Sequence, residues 1–146
     1  MKLNKVIEEY VVSDQINAQD ISVLKQHGFK TIFCNRPDSE ETNQPTAEEL
    51  QKVADSLGLK FVHQPVIGNA ISQKDVDDFT NYYENAEKPI FAYCRTGTRS
   101  TMLWALSEST KRKSSEIINL TSAAGYDLSH LIKSVSYTHL TLPTKA

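Results

Sequence analysis

Ile90-Phe91-Ala92-Tyr93 is the most apolar strand-like run in the chain, and Cys94-Arg95-Thr96-Gly97-Thr98-Arg99-Ser100 follows it directly. Beyond that heptapeptide, Met102, Leu103, Trp104 and Leu106 recur at helical spacing. A short apolar strand that ends in a thiol, curls at a glycine and feeds a helix admits few architectures. It fits an open α/β sheet, at the carboxyl edge of the strands where such sheets place their ligands.

The rest of the chain repeats the alternation. Glu9-Tyr10-Val11-Val12 reads as a first strand, and Asn17, with Asp20 three residues on, as an N-cap whose helix stops at Gly28. Phe29 to Cys34 is a buried-strand run, and Asn35 through Pro45 has turn composition throughout. Thr46 and Glu49 form a capping-box pattern for a helix from Ala47 to Leu57, closed by Gly58. Leu59 to Gln64 is the next strand, ended by Pro65, and Ser72 caps a helix to about Tyr83. Lys111-Arg112-Lys113 suits the negative end of a helix, Ser114 caps another, and Gly125-Tyr126-Asp127-Leu128 leads into a short last one. Strands separated by helices predict three layers: a central, mostly parallel sheet with helices on both faces.

Composition narrows the function classes. Sixteen Lys and Arg against eighteen Asp and Glu leave a formal charge of −2, which argues against a nucleic-acid-coating surface or a polybasic membrane patch. No apolar run reaches spanning length and the amino end lacks the apolar core of a signal peptide, so a soluble cytoplasmic chain is expected. Cys34 and Cys94 are too few for a disulfide scaffold, and the four histidines lack metal-ligand spacing, so no metal or other cofactor is expected. His63 reads as a hydrogen-bonded core histidine, His27 as part of a helix end and Cys34 as packing. Residues 1–133 read as one domain. The tail 134–146 follows neither period, and Val135 to Thr144 resembles an in-frame translation of a sequencing-library adaptor, so it is expected to lie outside the fold.

The chemistry concentrates at Cys94. The loop amides around Thr96, Gly97 and Thr98, with the start of the following helix, can converge on one anion, and such a field favours thiolate over thiol. Arg99 offers a planar fork for an oxyanion, Arg95 a second cation, and Ser100 a hydroxyl placed to hydrogen-bond the sulfur. Arg36 and Asp38, after the second strand, lie on the same sheet edge, where they orient substrate or pair with each other.

The segment Phe91 to Ser100, followed by Leu103-Trp104-Ala105-Leu106, closely resembles the phosphatase-like domain of beta-lactamase-hydrolase-like proteins. The resemblance extends to Gln15-Ile16, Gly28 to Ile32, Asn35-Arg36-Pro37-Asp38, Gln44-Pro45, Pro65-Val66 and Gly125 to Leu128. It implies a fold like that of protein-tyrosine and dual-specificity phosphatases. Cys94 then matches the nucleophile and Arg99 the anion-binding arginine. Cys34 stands where many relatives are expected to carry Asn.

Two chemistries compete for this loop. Phosphatases of the superfamily use Cys-x5-Arg, whereas the spacing here is Cys-x4-Arg, which resembles rhodanese-type sulfurtransferases. Phosphate-ester cleavage also wants a general acid, and the segment after the Pro65-Val66 strand end holds Ile67, Gly68 and Asn69 but no carboxylate. Asp38 or Asp75 would have to replace it from another loop. Sulfur transfer needs no such acid, because its thiolate leaving group is already stable. The full-length resemblance favours a cysteine-dependent phosphatase-like hydrolase; the alternatives are a sulfurtransferase carrying a Cys94 persulfide and a non-catalytic anion-binding module. The expected partner is a phosphorylated or sulfur-donor small molecule or protein.

Overall fold

The computed structural model describes residues 1–129. In chain order they form β1 (Asn4–Ile7), β2 (Tyr10–Ser13), α1 (Ala18–Gln26), β3 (Thr31–Cys34), α2 (Ala47–Ser56), β4 (Lys60–His63), α3 (Gln73–Asn85), β5 (Ile90–Tyr93), α4 (Thr98–Ser107) and α5 (Ser114–Ala123). The sheet runs β1-β2-β5-β3-β4, with β1 antiparallel to β2 and every other pair parallel. The short helix expected beyond Leu128 and the tail 134–146 lie outside the described residues.

Three layers follow from the two-residue period of the strands. Ile32, Cys34, Phe91 and Tyr93 point to one face and pack with Ile21 and Leu24 of α1 and Leu50 and Ala54 of α2. Phe33, Ile90 and Ala92 point to the other and meet Phe79 of α3, Leu103 and Trp104 of α4 and Ile117 of α5. Trp104 is fully buried, as its spacing suggests, and stacks on Tyr10 at 6.4 Å between ring centres.

Local sequence sets the helix starts. Asn17 accepts the Asp20 amide at 3.1 Å while the Asp20 carboxylate accepts the Asn17 amide at 3.0 Å. Ser72 and Asp75 make the same reciprocal pair at α3. At α2 only the forward half of the expected box forms, Thr46 accepting the Glu49 amide at 3.1 Å, and Asp38 supplies a second cap by accepting the Ala47 amide at 2.9 Å.

Three expectations need correction. The strand expected at Glu9–Val12 is β2, Tyr10–Ser13, and β1 before it has no counterpart in the sequence reading. Only Val6 of β1 is buried, so this edge strand carries almost no periodic signal. Helix α5 starts at Ser114 itself, with Lys113 at the cap position and no side-chain cap. The Lys111-Arg112-Lys113 run lies beyond the end of α4, where Lys111 and Arg112 pair with Glu84, Glu108 and Glu116.

The parallel strands end level. Ser13, Tyr93, Cys34 and His63 form one row across the sheet, so the loops after β2, β5, β3 and β4 leave the same edge side by side. That row positions the site.

Candidate active site

Strand β5 occupies the middle of the sheet with all four residues buried, and Cys94 is the first residue beyond it. Its amide donates to the Ser13 carbonyl at 3.4 Å, and Asn35 beside it donates to the Tyr93 carbonyl at 2.9 Å, so the ladder holds the loop at its root. The thiol is fully buried, and the Gly97 amide points at its sulfur at 3.1 Å. Gly97 also ends the loop as the residue before α4, with φ +97°. A Cβ at that position would collide with the Tyr126 hydroxyl and lie 3.2 Å from the Ser13 carbonyl oxygen. Only glycine meets both demands. The loop is therefore a tight cradle: a sulfur, an amide aimed at it, and a helix amino terminus opening behind it.

Arg99, in the first turn of α4, has its side chain almost buried. Its Nη1 and Nη2 donate in parallel to the two carboxylate oxygens of Glu40 at 2.8 and 2.9 Å, and Nη1 also donates to the Val66 carbonyl at 2.9 Å. The guanidinium also interacts with the Cys94 sulfur. Glu40 Oε1 is shared: it accepts from Arg36 Nε at 2.8 Å as well. Arg36, 1% exposed, spends its other nitrogens on Gln15 at 2.9 Å and Glu41 at 2.6 Å. Arg95 is exposed and lies 3.9 Å from the free oxygen of Glu41. The side chains thus run Arg95, Glu41, Arg36, Glu40, Arg99, alternating in charge.

The hydrogen bond from Arg99, opposed by partial burial and reinforced by Arg36, holds the Glu40 carboxyl well below its ordinary 4.5, at about 2. A carboxyl depressed on folding contributes stability that is present above its ordinary value and lost as pH falls through the folded one. The melting-temperature gap between the native chain and Glu40→Gln should accordingly be flat above pH 4.5 and close between there and about 2. Thermal melts in a pH series check this; a gap that closes near neutrality would contradict the pairing.

The sequence-derived candidates separate into two groups. Cys94, Arg95, Thr96, Gly97, Thr98 and Arg99 share one loop and the start of one helix, with Thr96 donating from its hydroxyl to Thr98 at 2.9 Å. Ser100 is next in line, yet its hydroxyl donates to Asn35 Oδ1 at 2.8 Å, tying the loop after β3 to α4 rather than serving the sulfur. Arg36 and Asp38, expected to orient substrate or pair with each other, take other partners in the structure: Arg36 is buried among Glu40, Glu41 and Gln15, and Asp38 caps α2. Asp75 is likewise committed to its capping box.

Cys34 sits on the α1–α2 face, one strand over from β5, whose end carries Cys94. Burial pushes the Cys34 thiol up, and its sulfur faces the Arg36 carbonyl at 3.5 Å. It packs within that layer. His63 Nε2 lies 3.1 Å from the same carbonyl, and the His27 amide closes α1. Among the described residues no three of His, Cys, Asp and Glu cluster as a metal site requires, and no helix is long and apolar enough to cross a membrane.

Residues 2–111 match the family of the beta-lactamase hydrolase-like protein, phosphatase-like domain. The chain belongs to this family. A beta-lactamase hydrolase-like protein of Xylella fastidiosa is 34% identical to 90% of the chain, and one of Agrobacterium fabrum is 32% identical to 88%. The chain spans only 31% and 30% of the length of those two relatives. Among solved structures, a candidate phosphatase of Neisseria meningitidis superposes with a TM-score of 0.83 at 36% identity, covering 92% of this chain and 97% of that one. TpbA of P. aeruginosa, solved with phosphotyrosine, shares the fold at a TM-score of 0.65 and 14% identity, over 94% and 87% of the two chains. The phosphatase-like domain family therefore accounts for the three-layer fold. The alternating charges at the carboxyl edge are described by this chain's own side chains.

Proposed function

We propose that this phosphatase-like domain is a cysteine-dependent sulfurtransferase that carries a persulfide on Cys94. One observation supports this reading over ester hydrolysis: the carboxylates nearest the loop are held ionised by arginines or bound in helix caps, and Glu41, although one of its oxygens is free, is itself held low by the hydrogen bond from Arg36. Glu40 is held ionised between Arg99 and Arg36, and Asp38 and Asp75 cap helices. Asp14 accepts from the Ser13 hydroxyl. The loop that lies against Arg99, through Gly68, brings no acid of its own. A leaving alkoxide would go unprotonated, at a cost of about 10²–10⁴ in rate. A sulfite or thiolate leaves without help.

The Cys94 thiolate attacks the outer sulfur of a sulfane donor such as thiosulfate. The donor S–S bond breaks and its electron pair departs with sulfite. The loop amides and Arg99 hold the oxyanion through the step. An acceptor thiolate then attacks the outer sulfur of the Cys94 persulfide, leaves as the acceptor persulfide and returns Cys94 as thiolate. No external oxidant or reductant enters.

Family membership favours a second reading, hydrolysis of phosphate monoesters, restricted by the same lack of an acid to leaving groups as stable as a phenolate. Intact mass spectrometry after thiosulfate, beside phosphate release from an aryl phosphate, separates the two. Sulfur transfer predicts a gain of about 32 Da, one sulfur, that a thiol removes. Turnover of the aryl phosphate with no such adduct would reverse the order of the readings.

A further inference from the structure

We propose that Glu40 is a positioning residue for Arg99, fixing which edge of the guanidinium faces the substrate anion. The inference rests on the loop binding an anion above Cys94, as in the reading just given, and it concerns a residue some sixty positions away from that loop in sequence. A free arginine side chain rotates about four bonds and presents any of its donors. Here Glu40 takes one hydrogen from Nη1 and one from Nη2, in parallel, and Val66 takes the second from Nη1. Three of the five N–H groups are thereby used, and the pair left over is Nε with the outer hydrogen of Nη2, itself a second fork. Two parallel bonds to one carboxylate fix the guanidinium plane as well as its position. Gly68 lies beside the stem, where a Cβ would be in ordinary contact, 3.4 Å, with Arg99 Cδ.

Glu40 can act in this way because it is itself anchored. Its Oε1 is held by Arg36, which is buried and tied to Gln15 after β2 and to Glu41 on the same loop. Geometry thus passes from the strand ends through Arg36 and Glu40 to Arg99. Glu40 also carries a negative charge close to an anion site, and charge alone would make it unfavourable for anion binding. Positioning and charge therefore predict opposite signs when it is neutralised.

The test uses the two alkylating reagents iodoacetate, an anion, and iodoacetamide, its neutral isostere. The same thiolate displaces iodide from both, so the ratio of their rates at Cys94, read by intact mass, cancels the thiolate fraction and leaves anion recognition. The native chain should show a ratio well above that of a free thiol. Glu40→Gln should lower it about tenfold, even though a negative charge has been removed, while melting cooperatively. Asp14→Asn removes a charge beside the same sheet edge without touching Arg99, Glu40 or Arg36, and should leave the ratio as it is or raise it. A ratio that rises in Glu40→Gln, or falls equally in both variants, overturns the proposal. An elevated native ratio that drops in Glu40→Gln, in a chain that takes up no sulfur from thiosulfate, would sustain Glu40's role while removing the sulfurtransferase reading. Uptake of sulfur with a ratio indifferent to Glu40 would do the reverse.

Discussion

Cys94→Ser should abolish persulfide formation and reduce turnover on the order of 10⁴–10⁶-fold, the scale on which loss of a nucleophile is felt. The argument is chemical before it is structural. Serine offers an oxygen in place of sulfur at the same point beyond β5, still able to accept the Gly97 amide that reaches Cys94 Sγ at 3.1 Å. It cannot form a persulfide, and a serine hydroxyl is a far weaker nucleophile than a cysteine sulfur. The swap nearly conserves volume, so the fold should lose less than about 1.5 kcal/mol. Thiosulfate exposure followed by intact mass, beside a denaturant melt, gives both readings. Undiminished sulfur uptake in this variant would move the nucleophile away from Cys94.

Gly97→Ala should damage stability and activity together. Alanine at φ +97° sits in the left-handed region, at a cost of about 1–2 kcal/mol. Its Cβ would also overlap the Tyr126 hydroxyl, which donates to the Thr96 carbonyl at 3.1 Å and accepts from Asn4 at 3.0 Å. Overpacking of that kind adds roughly 1–3 kcal/mol. The combined loss, roughly 2–5 kcal/mol from these two sources, is a large share of what a domain of this size has. Adding Tyr126→Phe removes the overlapping oxygen but neither the ring carbon behind it, 2.9 Å from the added Cβ, nor the backbone strain, so the double variant should recover only part of the melting temperature. Recovery in full would mean that the left-handed backbone at position 97 costs alanine nothing.

Much of the layout was legible because it is written locally. The apolar run Ile90–Tyr93, the glycine after it and the caps at Asn17, Thr46 and Ser72 each act within a few residues, and each marks an element of the structure. The site was legible only where it is contiguous. Cys94 through Arg99 are neighbours in sequence, but Glu40 and Glu41 lie in a stretch whose turn composition gives carboxylates an ordinary solvated role. Their importance comes from contacts across the sheet edge, which no period of 2 or 3.6 encodes. An arginine beside a strand end was the available hint: a guanidinium there requires acceptors, and three carboxylates follow within five residues, two of which pair with it. Strand β1 escaped for the opposite reason, since an edge strand with one buried side chain has too little pattern to declare itself.

The placement of β5 between β2 and β3 has a kinetic consequence. Its amides and carbonyls are bonded on both sides and its four side chains are buried, so its backbone can exchange hydrogen with solvent only when the whole sheet opens. The outer strands β1 and β4 can loosen without disturbing it. The thiol thus hangs from the slowest-opening part of the molecule, and local breathing at the sheet margins leaves the loop's geometry intact.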